Sequence, residues 1–254
     1  MKNTFADTWL LFKRSITHTF RSPEILVGIT ISPVMFVLLF RYVFGGAIDV
    51  GGTTYVNFLM AGIFVQTIAF GALTTAISLA SDMEKGIVER FFTLPMSRSA
   101  ILTGRTIADL LRNLFTIFVM IVVGVLVGYR PDGSLADWAL ALGLLLFFSF
   151  AISWVGALMA LGIPNVEALQ QISFIIILPL TFASSAFVQT SSMPAGLQAF
   201  ADHQPVTQVV NAVRALTLEQ PVGNSVTASI AWCVGILIVA LPLSAVVFKR
   251  VGSR

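Results

Sequence analysis

Charged residues are scarce in this sequence. Asp, Glu, Lys and Arg make up only 11% of its 254 residues, whereas 57% are hydrophobic. Because soluble domains carry about 25% charged residues, this low content excludes an ordinary soluble domain. Several apolar runs are longer than the roughly 18 residues that indicate a membrane-spanning helix. We therefore expect the lipid bilayer to be the solvent of most of the chain.

Cysteine and histidine are nearly absent. The one cysteine, Cys233, lies in an apolar run and has no second cysteine with which to form a disulfide within the chain. The two histidines, His18 and His203, are far apart, and no spacing typical of metal ligands or of a Ser-His-Asp triad occurs. We expect neither a metal site nor a catalytic residue in this chain.

The sequence also lacks the motifs that power transport. It has no Gly-x-x-x-x-Gly-Lys-Ser/Thr phosphate loop, so no cofactor is expected in this chain. No apolar run has a central ionisable residue of the kind that a proton-coupled antiporter needs. Asp109 and Arg112 lie near the start of the third run. There an ion pair between them, or snorkelling of their side chains to the membrane surface, is sufficient to accommodate their charges without a role in proton transfer. Glu167 is best explained as a helix-start carboxylate. Any energy for transport must come from elsewhere.

The apolar runs predict the fold class, an all-α integral membrane protein in which 1–254 form a single transmembrane domain. Six membrane helices are expected at 25–45, 56–80, 107–128, 138–161, 169–189 and 226–248. The connection 190–225 is too long for a structureless loop. Its helical spacing predicts short re-entrant helices packed against the outer face of the membrane.

The distribution of Lys and Arg predicts the orientation. If the N-terminus is cytoplasmic, twelve of these residues lie on that side and only three, Arg41, Arg130 and Arg214, lie outside. We therefore expect a multi-pass protein with both termini in the cytoplasm. This asymmetry also explains the net charge of +3, so no nucleic-acid partner is expected.

The N-terminal segment 3–21 has the pattern of an amphipathic helix. Phe5, Trp9, Phe12, Ile16 and Phe20 recur at helical spacing, with basic residues beside and opposite them. Such a helix is typical of the membrane interface. It does not have the pattern of a cleavable signal peptide.

Residues 81–100, SDMEKGIVERFFTLPMSRSA, contain much of the scarce charge. Ser81 or Asp82 is expected to cap a short amphipathic helix over 82–94, which Pro95 ends. Three interpretations of this segment are open: a solvated turn, a helix that lies on the lipid surface, and a helix that binds in a groove on another protein. Because its acidic and basic residues are mixed, the pattern favours the protein groove over anionic lipid.

Two stretches resemble ABC type-2 export permeases, in particular the daunorubicin-resistance branch. They are EKGIVERFFTLPMSRSAILTGRTIADLLRNL and LPLTFASSAFVQTSSMPAGLQAFADHQPVTQVVNAVRAL. One departure is visible, since that family often has Ser-Gly where Ser184 and Ser185 stand, and this bears on the local helix bend.

The resemblance implies partners and roles. The chain is expected to pair with a second copy or a sister permease and to be driven by separate ABC ATPase subunits, which hold ATP and Mg. Segment 3–21 corresponds to the connecting helix and 82–94 to the coupling helix that docks on the ATPase. The implied coupling residues are Asp82, Glu84, Lys85, Ile87, Glu89, Arg90 and Phe91.

Two helix faces in the spans mix aromatic rings with amides or hydroxyls. The second span carries Leu59, Ile63, Gln66, Phe70 and Thr74, and the fifth carries Gln171, Phe174, Leu178, Phe182 and Ser185. Such walls suit a large amphiphilic substrate, and the resemblance implies that these spans line the pathway. The alternative is structural, because Ser and Thr often join neighbouring helices and Phe often faces lipid.

The favoured function is export of hydrophobic or amphiphilic compounds, such as drugs, antibiotics or lipid-like molecules, across a bacterial cell membrane. Two alternatives remain at this point. One is a permease for a lipid-linked glycan or cell-wall precursor. The other is a membrane anchor that recruits a cytoplasmic partner without transport.

Overall fold

The computed structural model describes residues 4–21, 23–48, 50, 53–87, 98–163 and 165–251. No strand occurs among these residues, which confirms the all-α class for them. The α-helices are α1 (Thr4–Arg21), α2 (Pro23–Leu39), α3 (Tyr55–Glu84), α4 (Arg98–Val127), α5 (Leu135–Gly162), α6 (Val166–Phe182), α7 (Ala195–His203), α8 (Pro205–Thr217) and α9 (Ser225–Val251). A π-helical turn, Phe40–Phe44, follows α2, and a 3₁₀ turn, Thr190–Ser192, precedes α7.

Four helical segments are long and apolar enough to cross a membrane. They are Tyr55–Glu84, Thr103–Val127, Leu135–Gly162 and Ser225–Phe248. Two shorter apolar segments, Thr30–Phe44 and Val166–Phe182, occupy the places of the predicted first and fifth spans. A membrane protein is thus supported by length and composition, while the number of six spans stays a prediction.

Side-chain caps explain several of the helix starts. The Ser134 hydroxyl accepts from the backbone N–H of Asp137, whose carboxylate accepts from the Ser134 N–H in return, so that α5 begins with a capping box. At the start of α6, the Asn165 side chain accepts from the Ala168 N–H at 2.7 Å. Such acceptors satisfy N–H groups that have no partner within the helix.

Helix α3 lies at the centre of the bundle and contacts α2, α4, α5, α6 and α8. Its contact with α5 is close because Gly156 has no side chain. A Cβ atom there would lie 2.6 Å from the Ala72 carbonyl oxygen. The remaining helices surround this pair, with α9 against α5 and α8, and α1 along α4.

Helix α8 is not a surface helix. Val206, Val209, Val210 and Val213 are almost completely buried, and α8 packs among α3, α5 and α9. Short helices occur in this connection, as its helical spacing predicts, and the apolar face of α8 is covered by protein. Re-entry into the membrane and contact with its outer face stay predictions.

Several helix ends differ from those expected. Helix α3 continues through Glu84, so Ser81 and Asp82 lie inside its last turn and do not cap a new helix. Helix α6 has Pro179 in its last turn and ends at Phe182, before the expected 189, and residues 183–188 form bends and turns.

Candidate functional site

A cavity of about 510 Å³ lies beside α3. Its walls come from α2, α3, α4 and one residue of α6. The lining residues are Gly28, Ser32, Pro33, Phe36, Gln66, Thr67, Phe70, Gly71, Leu73, Thr74, Ile77, Arg112, Asn113, Thr116 and Phe174. This volume is in the range of small-molecule sites, which are mainly apolar with a few polar groups.

The structure brings four of the predicted pathway residues together in this cavity. Gln66, Phe70 and Thr74 come from α3 and Phe174 comes from α6. The Phe70 and Phe174 rings meet edge to face, with centroids 5.9 Å apart. This aromatic pair joins α3 to α6 at the wall of the cavity.

The other predicted pathway residues lie elsewhere. Leu59 and Ile63 are fully buried in the helix core and do not line the cavity. Leu178 and Phe182 are exposed on α6. Ser185 lies in the turn after α6.

Phe174 also borders a second, open depression of about 560 Å³ along α6, and Gln171 lies there together with Glu167, Gln170 and Ile175. The side chains of Glu167, Gln170 and Gln171 are exposed there. Three exposed polar side chains are unusual on a helix as apolar as α6.

Polar residues of α4 form one side of the cavity. Arg112 Nη1 lies 3.0 Å from Asp109 Oδ1, which confirms their expected mutual pairing. The Thr75 hydroxyl donates to Asp109 Oδ2 at 2.5 Å, and Arg112 Nη2 donates to the Gly71 carbonyl at 3.1 Å. Both charged side chains are buried. This network ties α4 to α3.

Arg112, Asn113 and Thr116 line the cavity but are not among the pathway residues predicted from the sequence. Their spacing contained the signal, since Asp109, Arg112, Asn113 and Thr116 recur at helical intervals and mark one polar face of α4. Asn113 ties α4 to α5, because its Nδ2 donates to the Ser149 hydroxyl of α5 at 2.7 Å.

The predicted coupling residues lie at one end of α3 or beyond it. Asp82 forms an ion pair with Arg105 of α4, whereas Glu84 and Lys85 are exposed and Ile87 is half-buried. Glu89, Arg90 and Phe91 lie outside the described residues. The end of α3 is therefore fixed to α4 next to the segment predicted to bind the ATPase.

Arg214 of α8 is buried at the other end of α3. It donates from Nε to the Phe58 carbonyl at 3.1 Å and from Nη2 to the Ser185 carbonyl at 2.7 Å. Burial lowers its pKa to about 9, so the guanidinium remains charged at neutral pH. The distribution of Lys and Arg places Arg214 in an outer connection, and nothing in its immediate sequence indicates this role.

The turn after α6 is held by side chains from three directions. Gln204 Nε2 donates to the Ala183 carbonyl at 2.5 Å, and the Tyr55 hydroxyl donates to the Phe187 carbonyl at 3.1 Å. The Ser185 hydroxyl donates to Asn211 Oδ1 at 2.7 Å. Since these carbonyls follow the end of a helix, side-chain donors replace the missing helical partners.

A stack of aromatic rings connects this turn to α2. The Phe187 ring lies 4.5 Å from the Phe40 ring and 4.9 Å from the Phe182 ring, centroid to centroid. Phe36, which lines the cavity, continues the stack at 6.1 Å from Phe40. The cavity is thus linked by rings to the turn that Arg214 holds.

Among the described residues, no group of three or more His, Cys, Asp or Glu side chains could hold a metal ion. Free Cys233 is buried in α9. The cavity beside α3 has aromatic and hydrogen-bonding side chains in its walls.

Known proteins that are similar in sequence to this chain are transport permeases. The chain is 32% identical over 209 residues to the daunorubicin resistance ABC transporter permease protein DrrB1 of Streptomyces coeruleorubidus, which covers 80% of this chain and 74% of that protein. It is 27% identical over 257 positions to the probable doxorubicin resistance ABC transporter permease protein DrrC of Mycobacterium tuberculosis H37Rv, covering 98% and 90%.

A more distant similarity is found in an alga. The putative transport permease ycf38 of Porphyra purpurea is 26% identical over 208 residues, covering 80% of this chain and 71% of that protein. The family model described as ABC-2 type transporter matches residues 6–218. The chain therefore belongs to the ABC-2 type transporter family, as a transmembrane transport permease.

Proposed function

We propose that this chain is the permease subunit of an ATP-driven exporter that moves hydrophobic or amphiphilic compounds outward across a bacterial cell membrane. The observation that carries the proposal is the cavity beside α3, with Phe36, Phe70 and Phe174 around a few polar groups. Aromatic walls with sparse hydrogen-bonding groups suit a large, mainly apolar ligand. The relatives named for daunorubicin and doxorubicin resistance support a drug-like substrate.

The energy is proposed to come from separate ABC ATPase subunits. Family membership supports this, as does the absence of a phosphate loop from the sequence. The docking segment begins where α3 ends, at the exposed Glu84 and Lys85. Because the neighbouring Asp82 is paired with Arg105, a force on this segment would act on α3 and α4 together, and both helices line the cavity.

The permease is proposed to act with a second copy of itself or with a sister permease, both termini being cytoplasmic. Helix α6 supports such a partner. It packs mainly on α3, and its exposed Gln170 and Gln171, which lie inside the predicted fifth span, would be costly in contact with lipid. A facing subunit would cover them and close the open side of the depression along α6.

The test is ATP-dependent uptake of doxorubicin into inverted membrane vesicles. The tagged chain is co-expressed with the ATPase subunit identified by copurification. Phe70→Ala removes a cavity wall, and Phe118→Ala is the matched control because Phe118 is exposed on α4 outside the cavity. Phe70→Ala is expected to reduce uptake at least about fivefold, since an aromatic contact supplies about 1 kcal/mol beyond its buried area.

Equal uptake by Phe70→Ala, Phe118→Ala and the wild type would exclude this cavity from the transport pathway. ATP-independent uptake, or no uptake of any apolar compound, would contradict the exporter function itself.

A further inference from the structure

The turn after α6, residues 183–188, is fastened to α3 and α8 through its backbone. Three of its carbonyls accept hydrogen bonds from the side chains of other segments: Ala183 from Gln204, Ser185 from Arg214 and Phe187 from Tyr55. The Ala186 carbonyl oxygen lies so close to Gly62 of α3 that a Cβ atom there would overlap with it. Because a buried polar group that loses its partner is costly, we expect this turn to stay with α3 and α8 whenever the protein changes shape.

Contacts of another kind join the turn to α2. The Phe187 ring stacks on the Phe40 ring, which follows α2 directly, with centroids 4.5 Å apart, and both rings are buried. Separating two stacked rings uncovers apolar surface but leaves no hydrogen-bonding group without a partner. In a membrane, lipid tails or an apolar compound can cover that surface. The ring contact is therefore easier to open than the bonds that hold the turn to α3 and α8.

The chain on the α2 side of the ring contact forms an irregular helix. Phe40 begins the π-helical turn Phe40–Phe44, and such turns are rare and frequently found at functional sites. A change to α-helical hydrogen bonding would rotate its two flanks relative to each other by about 100°, the angle of one residue in an α-helix. This rotation could turn the Phe40 ring away from Phe187 without unfolding α2. The bond from Gln189 Nε2 to the Val50 carbonyl does not oppose it, because Val50 lies beyond the π-helical turn.

The ring contact lies at one end of the cavity beside α3. Phe36 lines the cavity, and its ring stacks on that of Phe40, one helical turn further along, at a centroid distance of 6.1 Å. A compound that leaves the cavity along this side therefore meets the Phe40 and Phe187 rings next. An aromatic compound can replace the contacts that these rings lose when they separate.

We propose that the contact between Phe40 and Phe187 is a joint that opens in each transport cycle. Helix α2 moves away from the turn after α6, whereas this turn remains on α3 and α8. The closed joint seals one end of the cavity, and its opening lets the bound compound leave in that direction. The inference rests on the proposed export function, for which it names the moving helix and the two rings that separate.

Reversible cross-linking tests the joint. Phe40→Cys and Phe187→Cys are combined in a chain that also carries Cys233→Ala, and ATP-dependent uptake of doxorubicin is measured in inverted vesicles that contain the ATPase subunit. Oxidation to the disulfide is expected to lower uptake at least about tenfold, because a gating motion that is blocked stops turnover. Reduction with dithiothreitol should restore the uptake.

Ser185→Cys with Thr207→Cys is the matched control pair. The Ser185 N–H donates to the Thr207 hydroxyl at 3.2 Å, so the two residues are neighbours, and they belong to the turn and to α8, which the proposal keeps together. A disulfide between them should therefore leave uptake within about twofold of that of the reduced form. Loss of free thiols, measured by mass spectrometry, shows that either pair has been oxidised.

A distance measurement decides the question if the reduced Phe40→Cys/Phe187→Cys variant does not transport. Nitroxide labels on Tyr42→Cys and Gln220→Cys, both at exposed positions, report on the α2 side and the α8 side of the joint. Double electron–electron resonance is recorded on the complex before and after trapping with ATP and vanadate. The distance should change by at least about 3 Å, because rings 4.5 Å apart lose contact beyond about 7 Å. Labels on Ser191→Cys and Gln220→Cys should keep their distance.

The proposal is overturned if oxidation of the Phe40/Phe187 pair leaves uptake unchanged, or if oxidation of the control pair stops uptake equally. It is also overturned if the distance between positions 42 and 220 stays constant in a complex that transports. If this distance changes although no apolar compound is taken up, the joint is retained and the export function fails alone.

Discussion

The guanidinium of Arg214 lies 3.6 Å from the centre of the Phe58 ring and also donates to the Phe58 backbone carbonyl. One residue of α3 thus receives both a cation–π contact and a hydrogen bond from α8. The same guanidinium reaches the Ser185 carbonyl in the turn after α6. Three separate segments of the chain therefore meet at one buried charge.

Replacing Arg214 is expected to destabilise the protein strongly. Arg214→Met keeps much of the volume but leaves the Phe58 and Ser185 carbonyls without these donors, at a cost of about 2–4 kcal/mol in the free energy of unfolding. Arg130→Met is the control, because Arg130 is exposed and its guanidinium donates to the carbonyls of the nearby Val125 and Tyr129. Unfolding in SDS–detergent mixtures measures both variants, and an equal, small effect would contradict the role of Arg214.

The pair of Asp109 and Arg112 is expected to behave non-additively. Asp109→Leu or Arg112→Met alone leaves a buried charge uncompensated and should cost about 3–5 kcal/mol. The double variant removes both charges and should be markedly more stable than the sum of the single effects predicts. A double-mutant cycle of unfolding free energies tests this, and strict additivity would mean that the two side chains act independently.

The close crossing of α3 and α5 makes Gly156 intolerant of larger residues. Gly156→Val places atoms against the Ala72 carbonyl and should cost at least about 2 kcal/mol of stability. Gly143→Val is the control on the same helix, because nothing lies within 4 Å of a Cβ there. Melting temperatures in detergent would show the contrast, and equal melting temperatures would contradict the observed crossing.

Glu84 is expected to contact the ATPase subunit. Glu84→Arg reverses an exposed charge at the end of α3. It should reduce copurification of the ATPase about tenfold, which corresponds to a loss of about 1.4 kcal/mol in binding free energy. Glu219→Arg is the control, being an equally simple reversal at an exposed site beyond α8. Unchanged copurification in both variants would remove Glu84 from the coupling surface.

Cysteine labelling tests the orientation. Because Cys233 is buried, a new exposed cysteine should dominate the reaction with a membrane-impermeant maleimide. Asp132→Cys, in the connection between α4 and α5, should be labelled in intact cells, whereas Lys85→Cys should be labelled only after permeabilisation. The reverse pattern would place the N-terminus outside.

The helical period of the sequence indicated three of the seven α3 residues that line the cavity but little of the rest of its wall. Gln66, Phe70 and Thr74 share a face by helical period, which is a local property, and the structure places all three at the cavity. Leu59 and Ile63 share that face too, yet the helix passes into the core along its length, so the same face meets protein at one end and the cavity at the other.

The amino-acid sequence by itself determined the all-helical class, the apolar segments and the adjacency of Asp109 and Arg112, because composition and helical period act over a few neighbouring residues. Tertiary structure alone decided that Arg214 is buried against Phe58, that α8 is covered by other helices and that α4 completes the cavity with Arg112, Asn113 and Thr116. The physical reason is that period shows which face of a helix is apolar or polar. Which distant segment covers that face depends on the packing of the whole bundle.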